Sequence, residues 1–272
     1  MSAMWSKEKV TERLCVCGLG KVGRPILRML RAKGFEAVGY DRVPEQSEVN
    51  LSTAVEQSTA CIFIVQTPSL PDGSFSNNHL QEALMRFKHC IPMQRKPDYL
   101  YIVTSTTVPG SCDKFREIVG DNIVYKPEFI RLEHVDADLV SPSFILIGES
   151  KKEAGDRAEA IYRQIADVPV KRMSLIEAEL AKITLNCALT MKISLANQLH
   201  LVAQKVGADS TKIMDAVGTD PRIGNAYLTP GWPYSGPCLP RDNRMFSYFA
   251  DKVGVFAALS QAADVINGML DE

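Results

Sequence analysis

Several groups of residues in this sequence have types and spacings suited to chemistry. The first is Gly18-Leu19-Gly20-Lys21-Val22-Gly23, which follows a short apolar run and opens a helical stretch. In such a turn the first glycine permits a tight bend, the second lets backbone approach a pyrophosphate, and the third lets helix and strand pack closely. Unpaired N–H groups at the helix start, around Lys21 and Val22, would bind the phosphates. Asp41 ends the next apolar run, where a carboxylate accepts ribose hydroxyls and repels a 2′-phosphate. This favours NAD over NADP, with Arg42 weakening the preference slightly. A second group lies later: Lys182 and Asn186, four apart on one helical face, and Cys238 in a loop of Gly and Pro with Arg241 and Asp242 close behind. A cysteine so placed can be a nucleophile, and a nearby Arg241 would favour its thiolate.

Each of these has a plainer reading. Cys238 could be a small packed thiol. Lys182 and Asn186 could be a solvated helix face, and Glu128 and Asp242 ordinary surface acids. Arg222 could form a loop salt bridge, and Thr107 could cap the helix that follows Pro109.

The elements that must position these residues change character along the chain. Strands are expected at 14–17, 36–40, 61–65, 99–104, 122–125 and 144–147, and helices at 22–33, 80–88, 111–119 and 152–165. Strands alternating with helices imply an α/β domain, a Rossmann-type parallel sheet with helices on both faces. From Ser174 and Glu177, spaced as a capping box, no Gly or Pro occurs until Gly207. One helix of about 32 residues, about 48 Å long, is expected there. Asp209 and Ser210 then start a new helix, residues 218–242 form a Gly/Pro-rich loop, and one or two helices close the chain. The expected domains are 1–172, binding NAD, and 173–272, an all-α substrate and dimerisation domain built on the long helix.

Composition removes other classes. The chain has 272 residues, 46% of them hydrophobic, with a formal net charge of −1, so no basic excess recommends nucleic acid. No apolar run approaches the ~18 residues of a membrane helix, and the polar N-terminal stretch lacks the core of a signal peptide. Seven cysteines, with no CxxC pair, and four scattered histidines suggest neither a disulfide framework nor a metal site. A cytoplasmic protein is expected.

Read together and in order, Glu179-Leu-Ala-Lys182-Ile-Thr-Leu-Asn186, Asp220-Pro-Arg222-Ile-Gly-Asn225 and Ser235-Gly-Pro-Cys238-Leu-Pro-Arg241-Asp242 resemble the nucleotide-sugar dehydrogenases that oxidise UDP-glucose or GDP-mannose to the uronic acid. Val65-Gln-Thr67-Pro68 looks like that family's segment over the cofactor. Ser105-Thr-Thr107-Val-Pro109 and Lys126-Pro127-Glu128-Phe129 look like its active-site loops. The resemblance implies a four-electron oxidation through a thiohemiacetal and a thioester on Cys238. Lys182 and Asn186 would stabilise oxyanions, with Asp242 working beside Lys182. Glu128 would be the base for hydrolysis and Thr107 would position a water. The cofactor would be held by Gly18, Gly20, Lys21, Val22, Gly23, Asp41, Thr67, Pro68, Thr107 and Arg241. The substrate would be held by Glu128, Phe129, Lys182, Asn186, Tyr234, Gly236 and, from a neighbouring subunit of a homodimer joined through the long helix, Arg222.

The sequence departs from that family's pattern in places. The resemblance leads to the expectation of a short form that lacks the family's usual third domain. The loop before Cys238 reads Trp232-Pro233-Tyr234-Ser235-Gly236, with fewer glycines than usual. Arg241 replaces a lysine, and Leu132 stands where an acid often sits. The alternatives are a two-electron dehydrogenase of the β-hydroxyacid type, one acting on a non-nucleotide sugar or nucleoside, and a non-catalytic NAD-binding relative. Cys238 and Arg222 favour the four-electron route.

Overall fold

The computed structural model describes residues 12–131 and 133–270. The polar N-terminal stretch up to Thr11 and Leu132 lie outside the described residues. Among the described residues no helix is long and apolar enough to cross a membrane.

The chain divides into two units. The first runs to Pro68 and resumes from Ser76 to Glu179; the second comprises Ser69–Phe75 and the chain from Leu180 onward.

The first unit is a seven-stranded sheet in the order β2-β1-β3-β4-β5-β6-β7. Its strands are β1 (Leu14–Cys17), β2 (Ala37–Tyr40), β3 (Ala60–Phe63), β4 (Leu100–Val103), β5 (Ile123–Tyr125), β6 (Ile145–Glu149) and β7 (Val170–Ser174). β1, β3 and β4 are buried throughout. That is why they read as continuous apolar runs rather than alternating ones: helices cover both faces. The core gathers Leu14, Val16, Ile62, Ile102 and Val124 from the sheet with Ile26 and Leu30 of α1 (Gly23–Ala32) and Ile161 of α6 (Lys152–Arg163).

Two expectations need correction. The sheet is not wholly parallel, because β5 and β6 pair antiparallel. Strand β7 is not among the expected strands, since Val170-Lys-Arg-Met-Ser174 is too polar to read as a buried run. It pairs parallel with β6 and is only half-buried. The short helices α2 (Leu51–Glu56) and α5 (Val135–Val140) also escape the pattern. The others expected in this half are α3 (Asn78–Cys90) and α4 (Ser111–Val119).

Helix α7 (Leu175–Val206) has 32 residues. At its start Glu177 accepts from both the N–H (2.8 Å) and the hydroxyl (2.6 Å) of Ser174. The second unit continues with α8 (Ser210–Gly218), capped by Asp209, then α9 (Leu239–Lys252) and α10 (Ala258–Gly268). The connecting loop ends earlier than expected: Cys238 is already the N-cap of α9, and Asp242 lies within its first turn.

Candidate active site

In the first unit, strand order reverses beside β1, with β2 on one side and β3 on the other. Ligands in open α/β sheets bind at such a switch point, beyond the carboxyl ends of the strands. A cavity of about 220 Å³ lies there, lined by Gly18, Gly20, Asp41, Arg42 and Val65 among others. The three glycines differ physically. Gly18 has φ +102°, and a Cβ on it would lie 2.4 Å from the Ile64 carbonyl oxygen. A Cβ on Gly23 would lie 1.8 Å from the Gly18 oxygen. A Cβ on Gly20 would meet nothing within 4 Å. The first and third glycines are therefore demanded by the fold, and the second leaves a bare backbone facing open space, as a pyrophosphate requires. Helix α1 has no side-chain cap and no acid in its first turn, which suits an anion. Asp41 accepts from Leu19 N–H at 2.7 Å and Val43 N–H at 2.9 Å. The carboxylate thus braces the glycine turn and lines the same cavity. These residues fit NAD.

Two loops follow. Thr67 is buried and donates to the Thr106 carbonyl at 2.7 Å, and Ser105 joins the same stretch by accepting from Val65 N–H at 2.9 Å. Pro68 beside it is exposed. Thr107 is fully buried, and its hydroxyl donates to Glu179 at 2.8 Å. Glu128 forms an ion pair with Lys126, both nearly buried, and the Lys126 ammonium lies 4.2 Å from the centroid of the Tyr162 ring. Phe129 packs at 4.9 Å on Phe144.

The second unit gathers the other group. Asn186 donates to Asp242 at 2.6 Å, and both are buried, as is Lys182. Burial pushes the Asp242 carboxyl up, against the pull of Lys182, the Asn186 hydrogen bond and Arg241. Cys238 is solvent-accessible at the start of α9. Its thiol is nonetheless held above its ordinary value by partial desolvation and by Asp242, with Lys182 and Arg241 pulling the other way. The expectation that Arg241 would favour the thiolate is therefore only half met: the cation acts in that direction but is outweighed. The Arg241 guanidinium stacks 3.8 Å from the Phe75 ring centroid. Beside the cysteine loop is a cavity of about 780 Å³, bordered by Gly236, Pro237, Arg241, Arg244 and Leu70.

One unit gathers a thiol, a buried lysine, an amide and a carboxylate, and the other holds a glycine turn shaped for a dinucleotide. Comparisons with known proteins give the family. Residues 42–166 match the UDP-glucose/GDP-mannose dehydrogenase family, NAD binding domain, and residues 176–269 match the central domain of the same family. The chain belongs to the UDP-glucose/GDP-mannose dehydrogenase family. It is 26% identical to a GDP-mannose 6-dehydrogenase of Pseudomonas aeruginosa over 286 residues, covering 89% of this chain and 65% of that one. It is 31% identical to a UDP-glucose 6-dehydrogenase of Rickettsia bellii over 194 residues, covering 68% of this chain and 44% of that one. A UDP-glucose dehydrogenase structure from Pyrobaculum islandicum superposes with TM-score 0.87 at 27% identity, covering 98% of this chain and 70% of that one. The chain spans about two thirds, or less, of the length of these two curated relatives.

Two other expected site residues, Arg222 and Tyr234, make contacts within their own unit. Arg222 forms an exposed bidentate pair with Asp220, at 2.6 Å and 3.0 Å. Tyr234 is buried: its hydroxyl donates to Asp264 at 2.5 Å and its N–H to Asn267 at 2.7 Å. The tyrosine therefore anchors the loop to α10, and its ring is not presented to a ligand. Gly236, with φ +79°, borders the large cavity.

Residues that hold the surroundings of Cys238 in place carry no clear mark in the sequence. Asn197 donates to the Trp232 carbonyl and accepts from Gly231 N–H, both at 2.8 Å. Asn267 grips both backbone groups of Tyr234 in the same way. Asn243 bridges Thr190 at 3.1 Å and the Ser260 carbonyl at 2.8 Å. Asn197 and Asn267 hold the loop before Cys238 although it lacks regular structure, and Asn243 ties α9 to α7 and α10. For Asn197 and Asn267 the signal in the sequence is a polar residue on a largely apolar helix.

Proposed function

We propose that this chain oxidises the C6 primary alcohol of a nucleotide-activated sugar, such as UDP-glucose, to the carboxylate, using NAD and a four-electron route through Cys238. The observation that carries this reading is the buried Asn186–Asp242 hydrogen bond, with Lys182 acting on both Asp242 and the Cys238 thiol. A binding module has no need of such a costly buried cluster beside an accessible cysteine.

NAD would be held by Gly18, Gly20, Lys21, Val22, Gly23, Asp41, Thr67, Pro68, Thr107 and Arg241, and when bound it supplies the electron acceptor for each oxidation. Lys182 and Asn186 stabilise the negative charge that develops on the C6 oxygen. Asp242, its carboxyl raised by burial, works with Lys182 to hold the base or its water. Loss of the C6 hydroxyl proton and of a hydride from C6 gives the aldehyde; the Cys238 thiol, releasing its proton to solvent, adds to that carbon to give a thiohemiacetal, and loss of a second hydride leaves a thioester. Glu128, oriented by its ion pair with Lys126, removes a proton from the water that hydrolyses the thioester. Thr107 positions that water. Glu128, Phe129, Lys182, Asn186 and Gly236 contact the substrate, and Arg222 reaches it from a second copy. Free cysteines and a dinucleotide cofactor suit the cytoplasm.

The second copy belongs to the same reading. Helix α7 exposes Leu195, Val202 and Val206, spaced seven and four residues apart and so on one face. Such an apolar stripe on a long helix suits a twofold homodimer.

The test is NADH formation at 340 nm with a panel of UDP- and GDP-sugars, comparing wild type with Cys238→Ser. The expected result is two NADH per carboxylate, with product release stopped in the variant. One NADH per substrate, unaffected by Cys238→Ser, would instead identify a two-electron dehydrogenase. No NADH from any nucleotide sugar would overturn the substrate class.

A further inference from the structure

Glu179 is fully buried on the second turn of α7. Its carboxylate is the meeting point of the loop between β4 and α4. Oε1 accepts from the Thr107 hydroxyl at 2.8 Å and from Cys112 N–H at 2.9 Å, and Oε2 accepts from Gly110 N–H at 2.6 Å. Gly110 sits at φ +83°, the left-handed conformation that turns its N–H inward. Burying a carboxylate is costly unless its oxygens are satisfied, and here one short loop satisfies both. A glutamine could not replace it without loss. It has one oxygen, and its NH₂ would face an N–H donor.

An acceptor-only group also fixes the polarity of its partner. A threonine hydroxyl has one proton and two lone pairs. With the proton committed to Glu179, Thr107 Oγ1 can only accept from any further partner. We propose that Glu179 is a positioning residue of the active site, holding the 104–110 loop and orienting Thr107 so that lone pairs, not a proton, are offered to the attacking water. A water that donates one hydrogen to Thr107 keeps its own lone pair for the thioester carbon. This inference rests on the dehydrogenase reading above. Burial holds the Glu179 carboxyl above its ordinary value, outweighing the hydrogen bonds from the Cys112 N–H and thiol, Thr107 and Gly110 that pull it down.

The experiment compares wild type, Glu179→Gln, Thr107→Val, Thr107→Ser and the Glu179→Gln/Thr107→Val double variant. It measures kcat, KM, NAD affinity and amide exchange at Gly110 and Cys112. In Glu179→Gln, kcat falls about 10²-fold, as for a misplaced reacting group, while KM and NAD affinity move less than about threefold. Thr107→Ser retains most of the rate. The double variant is no slower than either single variant, because both remove one interaction. Amide exchange at Gly110 and Cys112 accelerates in Glu179→Gln. Unchanged kcat in folded Glu179→Gln, or losses that multiply in the double variant, would overturn the proposal. If Glu179→Gln does not fold, Thr107→Val carries the test, since it leaves the backbone bonds to Glu179 in place; a retained kcat there overturns the proposal equally. Absence of turnover in the wild type would instead overturn the dehydrogenase reading. The tether would then be judged by exchange alone, with equal protection in wild type and Glu179→Gln counting against it.

Discussion

Asn186 on α7 donates a 2.6 Å hydrogen bond to Asp242 in the first turn of α9, and neither residue is more than slightly exposed. The bond locks the two helices together four residues from Cys238. It leaves a carboxylate in a place where burial holds its proton more tightly than water would.

The charges around Cys238 therefore act in opposition, and substitution should separate them. Asp242→Asn removes the charge that pushes the thiol up, so alkylation of Cys238 by iodoacetamide at pH 7–8 should accelerate. Lys182→Met removes a charge that pulls it down, so alkylation should slow. Both are measured in a Cys90→Ser background, since Cys90 is also exposed. Equal rates in all three proteins would rule out electrostatic control of this thiol.

The same substitution should stabilise the fold. A carboxyl whose folded value lies above its unfolded one contributes most below the unfolded value, and that contribution is lost as pH rises through the folded value. Asn mimics the protonated form. Asp242→Asn should melt higher than wild type at pH 7–8, and the difference should vanish below about pH 4, near the unfolded carboxyl. Thermal melts across that range decide it, and a lower Tm at pH 8 would contradict the burial argument.

The glycines of the turn should separate folding from binding. Gly23→Ala drives a methyl into the Gly18 carbonyl and should cost about 3 kcal/mol or more. Gly20→Ala meets open space, so it should melt close to wild type while losing NAD affinity. Urea denaturation together with NAD titration tests both.

The loop before Cys238 is held by amides. Asn197→Ala or Asn267→Ala strands backbone groups of Gly231, Trp232 or Tyr234, and each should cost about 1–3 kcal/mol. Amide exchange at Gly231 should rise in the first variant and at Tyr234 in the second. Protection as in wild type would show that the loop is held by other means.

The proposed homodimer predicts that Leu195→Glu with Val202→Glu gives monomers by light scattering, while the far-ultraviolet dichroism of the helices is kept. A wild-type monomer at micromolar concentration would remove the dimer from the reading.

Local patterns carried much of this protein by themselves. Periodicity and the Ser174/Glu177 spacing set the long helix to within a residue, because a helix start is decided by contacts three residues apart. The glycine turn was legible because its first and third glycines answer a steric need only glycine meets, while the second leaves bare backbone for a phosphate. Tertiary structure alone decided the rest. Strand β7 is half-polar and exists because β6 offers it a ladder. The antiparallel β5–β6 pair depends on where the chain returns, which no local pattern encodes. The inward turn of Tyr234 onto Asp264, the grip of Asn197 on Trp232, and the capture of Thr107 by Glu179 join residues 30 or more positions apart. Such bonds form only when burial removes water as a competing partner, and burial is a property of the folded chain rather than of any stretch of it.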